Sequence, residues 1–176
     1  MQIRTHIGVS VDGFVAGADG RPVLLSMPDF VPGQSHGHPE FFAGCRAVVM
    51  GRTTFDPAVT APTWPWPGVN VYVLTSRPLP SSAPPQVVAA ATASELLERM
   101  RHGGFDGDVH LVGGPRTIQA FREIGALGRL EVVVLPLLLG AGVPLSPPHG
   151  DSARLDLDAQ RTFPDGSVEL AYRIAP

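Results

Sequence analysis

Apolar and polar positions alternate from the first residues: Ile3, Thr5, Ile7 and Val9 interleave with Gln2, Arg4, His6 and Gly8. A period of two is that of a strand with two distinct faces, so a strand is predicted over Gln2–Val9. Ser10-Val11-Asp12-Gly13-Phe14 follows as a turn, with glycine where the backbone must bend. The loop continues through Val15 and Ala16 to the turn signal Asp19-Gly20. Residues 21–38 carry no period and read as a long ordered loop with one helical turn. Loops of that length inside a domain commonly act as lids or binding loops. Pro39–Gly44 reads as the last turns of a short helix. Arg46–Met50 is a second strand, apolar on both faces. Gly51-Arg52-Thr53-Thr54-Phe55-Asp56 then turns into a short helix shaped by Pro57. Residues 60–68 are loop, with Trp64 and Trp66 expected to cover an apolar edge. Val69–Leu74 is a third strand, stopped by Thr75-Ser76-Arg77-Pro78, and Gln86–Ala90 a fourth.

A helix is predicted from a Thr92 or Ser94 cap to Met100. Leu96, Leu97 and Met100 form its buried face, and Glu95 and Glu98 lie near its start, where negative charge is favoured. The stretch Asp108–Phe121 organises the rest: a buried strand (Val109–Val112), Gly113-Gly114, and a helix opened by Pro115. Paired glycines permit positive φ and leave no side chain to block a ligand. Proline suits the first helical turn because the N–H it lacks would be unpaired there. The N–H groups that follow favour an anion, most often phosphate. A plain tight strand-to-helix turn is the equal alternative. Leu130–Leu139 is a long apolar strand broken by Pro136, which implies a bulge or an edge position. Its Leu135–Leu139 end serves either an interface or the core. Arg154–Thr162 and Val168–Ile174 form a hairpin across Pro164-Asp165-Gly166. Strands and helices therefore alternate through residue 139 before an antiparallel hairpin. The prediction is one α/β domain over 1–176 with a mixed, mostly parallel sheet flanked by helices.

Composition narrows this further. With 176 residues the chain can bury the core of one domain. Hydrophobic residues at 44% and charged residues at 16% exclude general disorder. A net charge of −3 argues against a nucleic-acid binder, which needs a basic surface. The single cysteine, Cys45, cannot form an internal disulfide and reads as a small buried residue. No apolar run reaches the roughly 20 residues of a membrane span, and the start lacks a signal-peptide core. A cytoplasmic protein is expected.

Three predicted strand ends carry similar chemistry: Gly51-Arg52-Thr53-Thr54, Thr75-Ser76-Arg77 and Gly113-Gly114-Pro115-Arg116-Thr117. Each offers backbone N–H groups, hydroxyls and an arginine, which pairs with phosphate through two hydrogen bonds. In open α/β sheets ligands bind outside the carboxyl ends of the strands. Together the three turns favour a nucleotide with several phosphates. The histidines show no metal-ligand spacing, so no metal is predicted. His36 and His38 lie in the long loop and are candidates to face a substrate; His102, His110 and His149 are scattered.

SVDGFVAG, VVMGRTTFD, VYVLTSRP, VHLVGGPRTIQAF and LPLLLGAGVPLS occur in that order. In this the chain resembles the dihydrofolate-reductase-like superfamily, and within it the reductase domain of the bacterial riboflavin biosynthesis protein RibD. The resemblance spans nearly the whole chain, including RTFPDGSVELAYRI. It implies NADPH as cofactor and a homodimer. Gly51, Arg52, Thr53 and Thr54 would hold cofactor phosphates. Thr75, Ser76 and Arg77, after Leu74, would take the adenosine side, with Arg77 on the 2′-phosphate. Val112, Gly113 and Gly114 would form the close turn under the cofactor, where a cis peptide is frequent. Pro115, Arg116, Thr117 and Ile118 would line the pyrophosphate and ribose. Val9, Ser10 and Val11 would approach the nicotinamide, and Asp12 to Ala16 would form a mobile loop over it. The implied chemistry is hydride transfer to a small heterocyclic or carbonyl substrate. The alternative is a non-catalytic nucleotide- or ligand-binding protein that keeps the fold. Reduction also needs a proton donor, for which a desolvated carboxylic acid suits. The chain departs from the family pattern there: residues 21–30 lack the Asp-Trp pair of many relatives. Asp29 is the first candidate acid and Glu40 the second. Asp12 is expected to bond its own turn, and Asp56 to support the helix start after Gly51.

Overall fold

The computed structural model describes residues 1–148 and 152–175; His149 lies outside them. Ten strands and four helices follow in the order β1 (Ile3–Ser10), β2 (Phe14–Ala16), α1 (His38–Ala43), β3 (Cys45–Gly51), α2 (Arg52–Val59), β4 (Asn70–Leu74), β5 (Val88–Ala90), α3 (Ala93–His102), β6 (Asp108–Gly113), α4 (Pro115–Glu123), β7 (Leu127–Leu135), β8 (Val143–Pro144), β9 (Leu155–Thr162) and β10 (Val168–Ile174). A 3-10 turn at Val23–Ser26 supplies the one turn expected in the long loop.

Eight strands form one sheet in the order β5-β4-β3-β6-β1-β7-β10-β9. The first six of these run parallel; β10 runs antiparallel to β7, and β9 antiparallel to β10. The central strands read as apolar runs because both faces are covered, as parallel strands require. Ala47, Val49, Val109 and Leu111 pack under α3 and α4 with Leu96, Met100, Ile118 and Phe121. The alternate residues Val48 and Met50 pack with Val71, Val73 and the α2 residue Phe55. Trp64 and Trp66 cover this second cluster, and Trp64 Nε1 donates to the Trp66 carbonyl at 3.0 Å. Thr92 caps α3, accepting from the Glu95 amide at 3.2 Å. Cys45 is buried.

Two expectations change. Pro136 marks neither a bulge nor an edge, because β7 stops at Leu135 and lies inside the sheet between β1 and β10. The strand instead starts earlier, where Leu127 pairs with Ile3. Leu135 is fully buried, whereas Leu138 beyond the strand is 76% exposed. Second, Phe14–Ala16 is not loop: it pairs with β8 in a two-stranded sheet. Three residues are too few to show a period of two, so tertiary pairing decides there.

Candidate functional site

Because β1, β3, β4 and β6 run parallel, their carboxyl ends meet along one sheet edge. Two of these ends run directly into helices. Gly51 is the N-cap of α2 and Gly114 that of α4, and neither start has a side-chain cap bond. Amides near both starts thus keep hydrogen-bonding capacity, with the partial positive charge of two helix ends beside them. The two starts are close: a Cβ added to Gly51 would lie 2.5 Å from Thr117 Oγ1 and 4.0 Å from the Gly113 carbonyl oxygen. Gly113 has φ +133° and joins Gly114 through a cis peptide. A Cβ on either glycine would meet nothing within 4 Å, so the space over this turn is unfilled by the chain. Thr117 and Ile118 are buried beneath it, while Arg116 is exposed and joins no ion pair among the described residues.

The arginines of the other turns have different surroundings. Arg52 is committed: Nε pairs with Asp56, and Nη1 donates to the Pro78 carbonyl at 2.7 Å. It therefore ties α2 to the turn after β4. Asp56 supports this helix start as expected, through Arg52. Thr75 Oγ1 accepts from the Arg77 amide at 3.1 Å and shapes the turn. The Arg77 side chain stays 69% exposed, 3.9 Å from Asp56. Leu74 and Val112 are half-buried at the ends of β4 and β6.

At the end of β1, Val9 and Ser10 are buried and Val11 is 62% exposed. Asp12 bonds more than its own turn. It accepts from Ser10 Oγ at 2.6 Å, the Gly140 amide at 2.7 Å and the Leu139 amide at 3.1 Å. The Ser10 hydroxyl first, then the Gly140 amide, lower its carboxyl to a pKa of about 2. It is ionised at neutral pH, which suits a tether between the β1 end and residues 139–140. The Val11 amide donates to the Leu137 carbonyl and the Leu145 amide to the Gly13 carbonyl, both at 2.9 Å. With Ala16 buried and β2 paired to β8, this segment is pinned to residues 137–145 rather than loose.

The candidate acids lie elsewhere. Asp29 is exposed in the long loop, and Glu40 is exposed on α1. Glu40 borders a cleft of about 310 Å³ between α1 and the β7-β10-β9 side of the sheet, with Arg4, Glu131, Arg161 and Glu169. Arg4 and Arg129, opposite each other near the starts of β1 and β7, place this cleft away from the strand ends. The phosphate-type turns and this cleft are thus distinct places. For the turns, open shape suits a long, exposed ligand, and the chemistry of the donors outweighs cavity size. His36 and His38 do not face open solvent: His36 is buried, with Nε2 at 2.7 Å from Asp165 Oδ2, and His38 packs against His110. His6 and His110 join them on neighbouring strands, a cluster that scattered positions in sequence conceal. No signal in the sequence brings these histidines together, because they come from separate elements.

Comparison with known proteins places the chain. Residues 2–168 match the RibD C-terminal domain family. The chain belongs to that family. Two uncharacterized Bacillus subtilis relatives have similar length: YwjB is 25% identical over 95% of this chain and 94% of its own, and YyaP 22% identical over 97% and 94%. Among solved structures, a putative riboflavin biosynthesis protein from Shewanella sp. PV-4 superposes with TM-score 0.81 at 24% identity, covering 100% of both chains. RibD of Acinetobacter baumannii gives TM-score 0.74 at 16% identity over 99% of this chain and 58% of its own. A pyrimidine reductase-like protein from Corynebacterium diphtheriae gives 0.69 at 15% identity, over 99% and 92%. This RibD C-terminal domain has the dihydrofolate-reductase-like, reductase-type fold. None of its described helices is long and apolar enough to cross a membrane.

Proposed function

We propose that this RibD C-terminal domain is an NADPH-dependent reductase acting on a small heterocyclic or carbonyl substrate. The observation that carries the reading is the shared edge. Two uncapped helix starts and the unfilled space over Gly113-Gly114 lie at the ends of neighbouring strands. The group fits these residues. Amides of Arg52, Thr53 and Thr54, and of Arg116, suit phosphates at helix starts, while the Thr117 amide already donates to the Gly114 carbonyl at 2.9 Å. Thr75, Ser76 and exposed Arg77 suit the adenosine 2′-phosphate, which Arg77 can hold with paired hydrogen bonds. Val9, Ser10 and Val11 would back the nicotinamide, which supplies the hydride when bound. Asp12 fixes that backbone by tying it to Leu139 and Gly140. A cytoplasmic setting and a small-molecule substrate go with this reading.

The proton is the open half of the chemistry. Asp29 and Glu40 are exposed carboxylates, and Asp12 stays ionised. Proton delivery through water or from the substrate suits this arrangement better than a buried acid. The same observation favours a second reading, a ligand-binding protein without turnover. Oxidation of NADPH in a screen of pterins, pyrimidines and carbonyl compounds separates the two. Saturable cofactor binding with no oxidation of any compound would favour the second.

A homodimer completes the proposal. Seven of the eight β9 residues are exposed on a sheet edge unpaired among the described residues, including Leu157 at 53%. An exposed strand edge offers backbone donors and acceptors to another strand. Light scattering at micromolar concentration should give twice the chain mass of 18.6 kDa.

A further inference from the structure

The described residues contain only four buried side-chain polar atoms without a hydrogen-bond partner: Arg4 Nε, His36 Nδ1, and both ring nitrogens of His110. Arg4 and His110, paired in register on β1 and β6, meet beneath α1, while the His36 ring packs apart from them against Phe30 and Phe163. His110 on β6 is 4% exposed and packs edge-on against Phe41, with ring centres 4.8 Å apart. His38, the first residue of α1, lies 5.6 Å from His110 and 5.8 Å from His6, stacked on Phe42. Arg4 sits over the Phe41 ring at 4.4 Å. Three imidazoles and a guanidinium thus fill one aromatic pocket between the sheet and a six-residue helix.

The acids around this pocket are already matched. On β6, Asp108 faces Arg4 at 3.5 Å. On β10, Glu169 pairs with Arg161 of β9 and lies 3.1 Å from His6 Nε2. On β7, Glu131 pairs with Arg129 at 2.7 Å. In the loop, His36 pairs with Asp165. Cys45 of β3 keeps its proton, since burial raises its pKa, and Glu40 of α1 is exposed. His38 and His110 have no carboxylate partner among the described residues. A proton on either would stand beside other imidazoles and Arg4 without a counter-charge, which is costly in a desolvated place.

We propose that the segment from Pro28 to Ala43 is an acid-released flap, held down while the His38 and His110 rings are neutral and lifted when they take up protons. Several features make this segment the part that yields. A helix of six residues has little stability of its own. Its entry passes through His36 at φ +53° and Gly37 at φ +73°, a left-handed turn uncommon for non-glycine residues as a whole. The other wall of the pocket is β1 and β6, central strands that cannot move alone. Lifting α1 removes Gly37, Glu40 and Phe41 from the 310 Å³ cleft and opens its floor of Arg4, Glu131 and Glu169 to solvent.

The sign follows from proton linkage. Burial foremost, then the neighbouring histidines, lower the pKa of His38, and lower that of His110 further. The released form has ordinary histidines near pH 6.5. Closure is therefore fully favoured above about pH 6.5 and weakens as pH falls through the lowered values. One pH unit below the ordinary value, each such histidine adds up to about tenfold to opening.

Amide hydrogen exchange of the purified protein without ligand, corrected for intrinsic rates, reads this directly at pH 7.5 and 5.5. Opening of amides in 30–43 should rise at least about tenfold at pH 5.5, with β3 and β6 unchanged. His38→Gln and His110→Leu should each flatten the rise; if His110→Leu fails to fold, His38→Gln decides alone. No rise, a rise shared equally with β3 and β6, or an undiminished rise in the folded variants would overturn the proposal. None of these outcomes depends on cofactor binding.

Discussion

Gly51→Ala probes the junction where the two helix starts meet. Gly51 has φ −83° and ψ 166°, extended backbone open to any residue, so only space is at issue. The new methyl would fall 2.5 Å from Thr117 Oγ1, about an ångström inside ordinary contact. Thr117 is 4% exposed and β-branched, so its hydroxyl has few places to go. Overpacking of this kind costs about 1–3 kcal/mol. Replacing glycine by alanine at a compatible φ returns about 0.4–1 kcal/mol by restricting the unfolded chain. The net expected loss is roughly 1–2 kcal/mol. With a urea slope near ~2 kcal/mol/M, the unfolding midpoint should fall by about 0.5–1 M. In a Thr117→Ala background the obstructing hydroxyl is gone, and Gly51→Ala should fall to within about 0.5 kcal/mol of neutral, since alanine's gain in the unfolded chain is offset by its poorer capping at this N-cap. The disappearance of the penalty is the test. Equal effects of Gly51→Ala in both backgrounds would refute the close approach of the two helix starts.

Further outcomes follow from other parts of the molecule. Arg77→Ala should weaken NADPH by about 10- to 100-fold, the worth of charge-assisted hydrogen bonds, and leave NADH nearly unchanged in a fluorescence titration; equal losses would remove Arg77 from the 2′-phosphate role. Phe121→Ala, at a fully buried position between α4 and the sheet, should cost about 3–5 kcal/mol in denaturant unfolding; a loss under about 1 kcal/mol would contradict the packing described. Asp12 has a folded pKa near 2, below its unfolded value. Its stabilisation should hold above about pH 4 and fade as pH falls from there towards 2. The stability gap between wild type and Asp12→Asn should accordingly be flat from pH 5 to 8 and shrink in acid, and a gap that widened in acid would contradict the tether to Leu139 and Gly140.

Most of the architecture was legible because its signals are local. Period-two apolar strands, Pro115 at a helix start and a cap at Thr92 or Ser94 identify β1, α4 and α3 before any contact is known, and the structure selects Thr92. The family motifs add the order in which these elements assemble. What escaped depended on distant partners. β2 is three residues long and exists by pairing with β8. Pro136 looked like an interruption because Leu137 and Leu139 prolong the apolar run, yet they belong to a loop that packs back on Val133 and Leu135. Arg52 looked as available for phosphate as Arg77, and only the fold brings Asp56 and the Pro78 carbonyl to it. The histidine cluster was invisible for the same reason: His6, His38 and His110 come from three separate elements, and each alone is unremarkable in its segment. Proton supply was the least legible, since it depends on burial, and the two candidate acids proved exposed.

On the proposed reading, the ends of β1, β3, β4 and β6 receive a phosphorylated nicotinamide cofactor. Titration of the purified protein with NADPH and NADH, followed by fluorescence of the reduced nicotinamide, tests it most directly. NADPH should bind saturably in the micromolar range, with NADH weaker by at least about tenfold, as expected if Arg77 adds charge-assisted hydrogen bonds to the 2′-phosphate. Absence of binding for both cofactors would contradict that reading and leave the strand-end turns as structural connections.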